Sequence, residues 1–246
     1  IDGGATWTGP VFLGNSTVIN AISVSASDPL MVLAATNGGL YRSINGGASF
    51  SKVAIATGAA GDPVCWTLAW AGSTNWALSL EADLAAATGS GQIWYSSDDG
   101  STWTKATGFT QATTGLTRAS LASAPTDRTT MYAYAAVATN WGAADAASDM
   151  ADMYRSTDGG HVWTALGTTA GYKSANKTST TQYTNTNSDS TYPGKILGGQ
   201  AWYNQMIIVD PSVSSTFYVG GNLNLAKVTN ATTTPSYAVQ SNWLAQ

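Results

Sequence analysis

The residues whose type and placement could do chemistry are carboxylates: Glu81, Asp83, Asp145, Asp149, Asp152 and Asp189. Two carboxylates facing each other can divide acid and base work, and Glu81 with Asp83, set against Asp145 or Asp149, is the best pair on offer. Asp145, Asp149 and Asp152 also offer oxygen ligands to Ca2+, although their spacing matches no defined loop. Trp141, Tyr172, Tyr183 and Tyr192 lie in the same polar stretches and could lay an apolar face on a sugar ring. Each feature has a structural alternative, namely acids solvated in loops and aromatics that pin those loops down. Other chemistries lack their parts. His161 is the sole histidine and sits in a Gly-rich turn, so no Ser-His-Asp triad forms around these acids. There is no Cys/His metal cluster and no phosphate-binding glycine loop, and no other cofactor is implied. Cys65, between Val64 and Trp66 in an apolar stretch, reads as a buried small hydrophobe.

These residues must be carried by many short strands. Only 10% of the 246 residues are charged, and ten Trp and eleven Tyr supply the bulk of a core. Abundant Gly, Ser, Thr and Asn between short apolar runs suits strands joined by tight turns. The net charge of −4 without a basic run argues against nucleic acid as a partner. No apolar run approaches the ~20 residues of a membrane span.

One phrase punctuates the chain. Ser156-Thr157-Asp158-Gly159-Gly160-His161-Val162-Trp163 is its fullest copy, and Ser96, Asp98, Gly100 and Trp103 repeat it in the same phase. Ser43, Asn45, Gly47 and Phe50 form a conservative copy, Asp2 and Trp7 a truncated one, and Val228–Ala231 a worn one. Ser followed two residues on by Asp or Asn can bond nearby backbone N–H groups, and the glycines then permit a tight hairpin turn. Each copy therefore reads as strand, turn, strand, with the aromatic residue aimed into a core. The turn acids Asp2, Asp98 and Asp158 accordingly have a structural role, since Asn45 substitutes without breaking the phrase.

This pattern resembles the Asp-box, or BNR, repeat of sialidase-like β-propellers, which also occurs in xyloglucan-cleaving endoglucanases and the sortilin luminal domain. Residues Gly198–Thr229 resemble a segment of long secreted bacterial propellers. The resemblance implies an all-β fold of four-stranded antiparallel blades, spanning approximately 18–56, 64–109, 117–166 and 201–240. Residues 7–13 would be the outer strand of a preceding blade, making four full blades plus one strand, a fragment of a larger propeller. Repeat spacing lengthens along the chain, and the added segments Glu81–Gly91, Thr139–Met150 and Gly167–Gly199 all fall on the rim opposite the repeated turns. Extended loops on one face of a rigid scaffold are a usual place for binding.

A sialidase needs an arginine triad, but Arg42 and Arg155 share one repeat slot and Arg128 lies on the turn-side rim, which leaves Arg118. A sialidase also needs a Tyr–Glu nucleophile pair, and Glu81 is the only glutamate of the sequence. A glycosidase of the endoglucanase type would need two carboxylates ~5–9.5 Å apart, for which the acids above are candidates. The reading that follows is a secreted or cell-surface propeller acting as a binding or structural module for a carbohydrate or protein surface. It would serve within a larger protein or assembly of chains, with glycoside hydrolysis as the alternative.

Overall fold

The computed structural model describes residues 4–7, 9–15, 17–85, 89–109, 115–137, 150–167, 204–221, 224–232 and 235–242. They fold as strands without a helix, in four antiparallel sheets of four strands each, the architecture of β-propeller blades. The first sheet is β1 (Ile19–Val24), β2 (Val32–Thr36), β3 (Gly39–Ser43) and β4 (Ser51–Val53). The second is β5 (Val64–Trp70), β6 (Trp76–Glu81), β7 (Gly91–Ser96) and β8 (Thr104–Lys105). The third is β9 (Leu116–Ser123), β10 (Met131–Val137), β11 (Met150–Ser156) and β12 (Thr164–Ala165). The fourth is β13 (Met206–Val209), β14 (Phe217–Gly220), β15 (Asn224–Thr229) and β16 (Ser236–Asn242). In every sheet consecutive strands are neighbours, as short hairpin connections require.

The sheets pack face to face in chain order, with an apolar layer at each junction. Leu33 and Leu40 of the first meet Trp76, Leu78 and Leu80 of the second. Ala77 and Ile93 meet Met131, Ala133 and Trp163 of the third, whose Tyr132, Tyr134 and Met153 meet Phe217 and Val219 of the fourth. Among the described residues, Ile22 and Val24 of the first sheet and Met206 and Ile208 of the fourth are exposed.

Between the third and fourth strands of the first three sheets, the repeated phrase closes the same turn. Ser43, Ser96 and Ser156 accept the N–H of Gly47, Gly100 and Gly160 at 2.9, 2.9 and 3.0 Å, and donate to Asn45, Asp98 and Asp158 at 2.8, 2.8 and 2.7 Å. The side-chain Oδ1 of Asn45, Asp98 and Asp158 then accepts N–H groups four residues on, from Ser49, Thr102 and Val162. The glycines also admit close packing, since a Cβ on Gly100 would stand 2.8 Å from Leu33 of the preceding sheet. Arg42 donates to the carbonyl of Asp99 at 2.7 Å, and Tyr95, in the same slot, stacks on His161 with centroids 3.8 Å apart. The repeated turns thus lock the second sheet to the first and the third to the second.

Differences from the sequence reading have local causes. Trp163 is buried and bonds the Gly160 carbonyl at 2.9 Å, but Trp7, which lies over Gly4, is 88% exposed. Residues 9–13 form no strand. A fourth strand forms only against a third strand of its own sheet, and among the described residues none lies beside this segment. Asp2 is outside the described residues.

Candidate functional site

Glu81 ends β6, where it pairs with Val64 at the start of β5 and with Gly91 at the start of β7. It therefore stands on the rim opposite the repeated turns. Near this rim the first strand of three consecutive sheets carries one residue too many for its partner. Asn20 is the extra residue of β1, Trp66 that of β5, and Thr117 with Arg118 together face Ala136 alone in β9. Such a bulge breaks the two-residue alternation and re-aims a side chain.

The redirected side chains converge. The Trp66 indole N–H donates to Oε2 of Glu81 at 3.0 Å, and the Arg118 guanidinium lies 5.0 Å from the Trp66 ring centroid. Asn20 Nδ2 donates to the carbonyl of Cys65 at 2.8 Å, from the sheet on the other side. From the fourth sheet, Gln205 donates to the carbonyl of Arg118 at 3.5 Å and accepts from Ser120 at 3.1 Å. Gly91 lets the second and third sheets meet here, because a Cβ at that position would fall 2.0 Å from the Thr117 carbonyl oxygen.

Glu81 is 4% exposed. Burial pushes its carboxyl above the ordinary carboxylate range, while the indole N–H and the Arg118 charge pull the other way. Burial likewise lowers Arg118, and Glu81 opposes that shift. The sequence expectation of a loop acid is thus corrected: Glu81 is a buried strand residue tied to an indole. Asp83 remains an exposed loop acid. Its Oδ1 accepts the Ala85 N–H at 2.9 Å and its own N–H donates to Ser90 at 2.7 Å, which organises the turn after β6. Asp152 accepts its neighbour's N–H, from Met153, at 2.7 Å.

Trp141, Asp145, Asp149, Tyr172, Tyr183, Asp189 and Tyr192 lie outside the described residues. Among the described residues, no group of three or more His, Cys, Asp and Glu stands ready for a metal ion, and no helix is long and apolar enough to cross a membrane. The described arginines do not converge: Arg42 serves a turn, and Arg128 lies over Trp70 and bonds Ser123. Trp66 was not singled out in the sequence, and Arg118 was weighed there only as the arginine left for a sialidase triad. The signal available was a Trp that breaks the alternation of an apolar strand.

Cys65 is fully buried, and burial, followed by the Asp62 charge, pushes its thiol up to about 12. A thiol without thiolate character is inert. Ellman's reagent is therefore expected to leave the native chain untouched and to titrate one thiol after denaturation; prompt labelling of the native chain would contradict the buried assignment.

No family model and no curated protein matches the chain. Among solved structures, a GH74 xyloglucanase from Xanthomonas campestris aligns with 90% of this chain at a TM-score of 0.58 and 15% identity. The chain spans 30% of that enzyme's length. An ancestral GH74 enzyme aligns with 92% of this chain and 25% of its own, at 15% identity and a TM-score of 0.48. YCF48 from Cyanidioschyzon merolae aligns with 91% of this chain and 71% of its own, at 13% identity and a TM-score of 0.46. At such identities the likeness to the xyloglucanase concerns the β-propeller fold alone.

Proposed function

We propose that this chain is part of an Asp-box β-propeller working outside the cell or on its surface, as a binding or structural module. Its contact face is the rim opposite the repeated turns, and its ligand is a carbohydrate or a protein surface. The observation that supports this is the cluster of Glu81, Trp66 and Arg118, drawn from three strands of two sheets near that rim, with Trp66 and Arg118 at bulges. The Ser–Asp turns occupy the other rim with structural work. Hydrolysis has one supporting observation, the raised carboxyl of Glu81, which suits a general acid. It also needs a second carboxylate across a cleft, and Asp83, the nearest in sequence, is spent on its turn.

A reducing-end assay on neutral β-glucans, xyloglucan and arabinan separates the two readings. The binding module is expected to release no reducing ends during prolonged incubation, with Glu81 or with Glu81→Gln. Release by the unaltered chain that vanishes in Glu81→Gln would replace the binding reading with the hydrolase.

A further inference from the structure

Each junction between sheets is built from the same two halves. The forward half is a pair of residues facing each other across the second and third strands: Leu33 with Arg42, Ala77 with Tyr95, and Tyr132 with Arg155. Each pair carries part of the next sheet. Leu33 lies under Gly100 while Arg42 reaches the Asp99 carbonyl, and Ala77 lies under Gly160 while Tyr95 stacks on His161. Tyr132 stacks on Phe217 with centroids 4.4 Å apart and donates to the Ser214 carbonyl at 2.7 Å. The fourth sheet repeats the pair as Tyr218 with Lys227, and Ile208 of β13 faces Tyr218. No further sheet follows it among the described residues.

The rear half is an aliphatic residue of the first strand together with the repeated turn. Ile22, Leu68, Leu121 and Ile207 hold one position in the four sheets. The last three pack into the junction with the sheet before them. Leu121 is 8% exposed, but Ile22 is 60% exposed. The turn glycines behave alike: Gly100 and Gly160 are buried, whereas Gly47 is partly exposed, and a Cβ on it would meet only Phe50 of its own turn among the described residues.

We infer that a second copy of this chain covers both faces, the first sheet of each copy packing on the fourth sheet of the other. One chain carries a forward half and a rear half that its own described residues leave uncovered, so two copies complete each other with a kind of contact the fold already uses three times. Such a head-to-tail contact closes when the ring it generates closes. Two copies supply twice the four sheets of one chain, and propellers hold about four to eight blades, so a third copy would exceed the ring. In the pair, Tyr218 takes the place of Leu33 and lies under Gly47 of the second copy. Lys227 takes the place of Arg42 and donates to the carbonyl of Gly46, the counterpart of Asp99. Lys227 already lies over the Tyr218 ring, 5.6 Å from its centroid, so the forward half is arranged before the copies meet. Ile22 and Ile208, 60% and 57% exposed, leave water together. The inference concerns assembly and stands apart from what the rim binds.

Sedimentation of the whole chain over a range of concentrations reads its mass, and twice the 25.3 kDa of one copy is expected. Ile22→Glu and Ile208→Glu each place a carboxylate in both contacts of a pair of identical copies, so each variant is expected to sediment at 25.3 kDa. Both positions are exposed, and an unchanged urea midpoint is expected to show that the fold holds. Mixing the two variants leaves one contact free of the added charge, because one copy supplies an unaltered fourth sheet and the other an unaltered first. The mixture is therefore expected to regain the doubled mass, which only head-to-tail pairing allows. Should a Glu variant fail to fold, the milder Ile22→Ser and Ile208→Ser take its place. A single-copy mass at every concentration would overturn the inference and assign the two faces to a different chain. A doubled mass that either variant keeps, or polymers that lengthen with concentration, would overturn the closed pair; none of these outcomes bears on the binding reading of the rim.

Discussion

Gly91→Ala is expected to destabilise the chain by about 4 kcal/mol, in the exceptional tail of single substitutions, and to lower its midpoint by roughly 8–16 °C. The added Cβ would lie 2.0 Å from the Thr117 oxygen, 2.7 Å from the Thr117 carbonyl carbon and 2.8 Å from that of Leu116. All three are backbone atoms, so no side-chain rotation relieves the clash. Either β7 withdraws from β9 or the β9 bulge is displaced, and the second outcome carries Arg118 off Trp66. Thermal and urea unfolding of Gly91→Ala, beside Gly9→Ala as a control with open space around it, checks the effect. A midpoint within two or three degrees of the unaltered chain would mean that the second and third sheets do not approach so closely.

The second large effect lies in the repeated turns. Ser156→Ala removes the acceptor of the buried Gly160 N–H and the donor to Asp158, and Ser96→Ala does the same to Gly100 and Asp98. Leaving a buried N–H unsatisfied costs about 1–3 kcal/mol, and each change is expected to fall in that range. Because the turn glycines also pack on the preceding sheet, the loss loosens a sheet junction as well as a hairpin. Urea unfolding of the two variants checks the magnitude; values indistinguishable from zero for both would assign the turn to its glycines alone.

The same turns predict an acid response. Desolvation raises Asp98 and Asp158, but hydrogen bonds outweigh it and hold both carboxyls below the ordinary value; they come from Thr102 and Ser96 to the first, and from Ser156, Val162 and His161 to the second. Asp127 is lowered by the Thr129 and Thr130 hydroxyls. A carboxyl lowered on folding contributes stability that is complete above its unfolded value of about 4 and is lost as the pH falls through the lowered folded value. Asn45 accepts the same bonds as its Asp counterparts. The double variant Asp98→Asn, Asp158→Asn is therefore expected to keep its fold at neutral pH and to lose less stability between pH 5 and 3 than the unaltered chain. An equal loss in both chains would place the acid sensitivity elsewhere.

The sheets and their turns were legible in the linear chain for one reason: each repeated turn is a contact set within eight residues. Ser156 reaches Asp158 and Gly160, and Trp163 reaches back to Gly160, so residue types in sequence already name the hydrogen bonds. Four-stranded antiparallel sheets follow, since every strand pairs with its neighbour in the chain. Even the rim that bears the candidate site was legible, because turn position alternates between the two ends of such a sheet.

The site itself was not. Glu81, Trp66 and Arg118 belong to β6, β5 and β9, and their meeting depends on how far one sheet rotates and slides against the next. That is decided by apolar packing at the junction and by the backbone approach at Gly91, neither of which leaves a local pattern. The bulges add a second obstacle. One extra residue in β5 and one in β9 invert the expected direction of a side chain, so alternation read from sequence sends Trp66 and Arg118 to the wrong face. Sequence alone determined the repeated turns and the strand meander, which are short-range hydrogen bonding; only the packed sheets decided which buried carboxylate meets which ring, because that contact is long-range and set by the fit of one face on another.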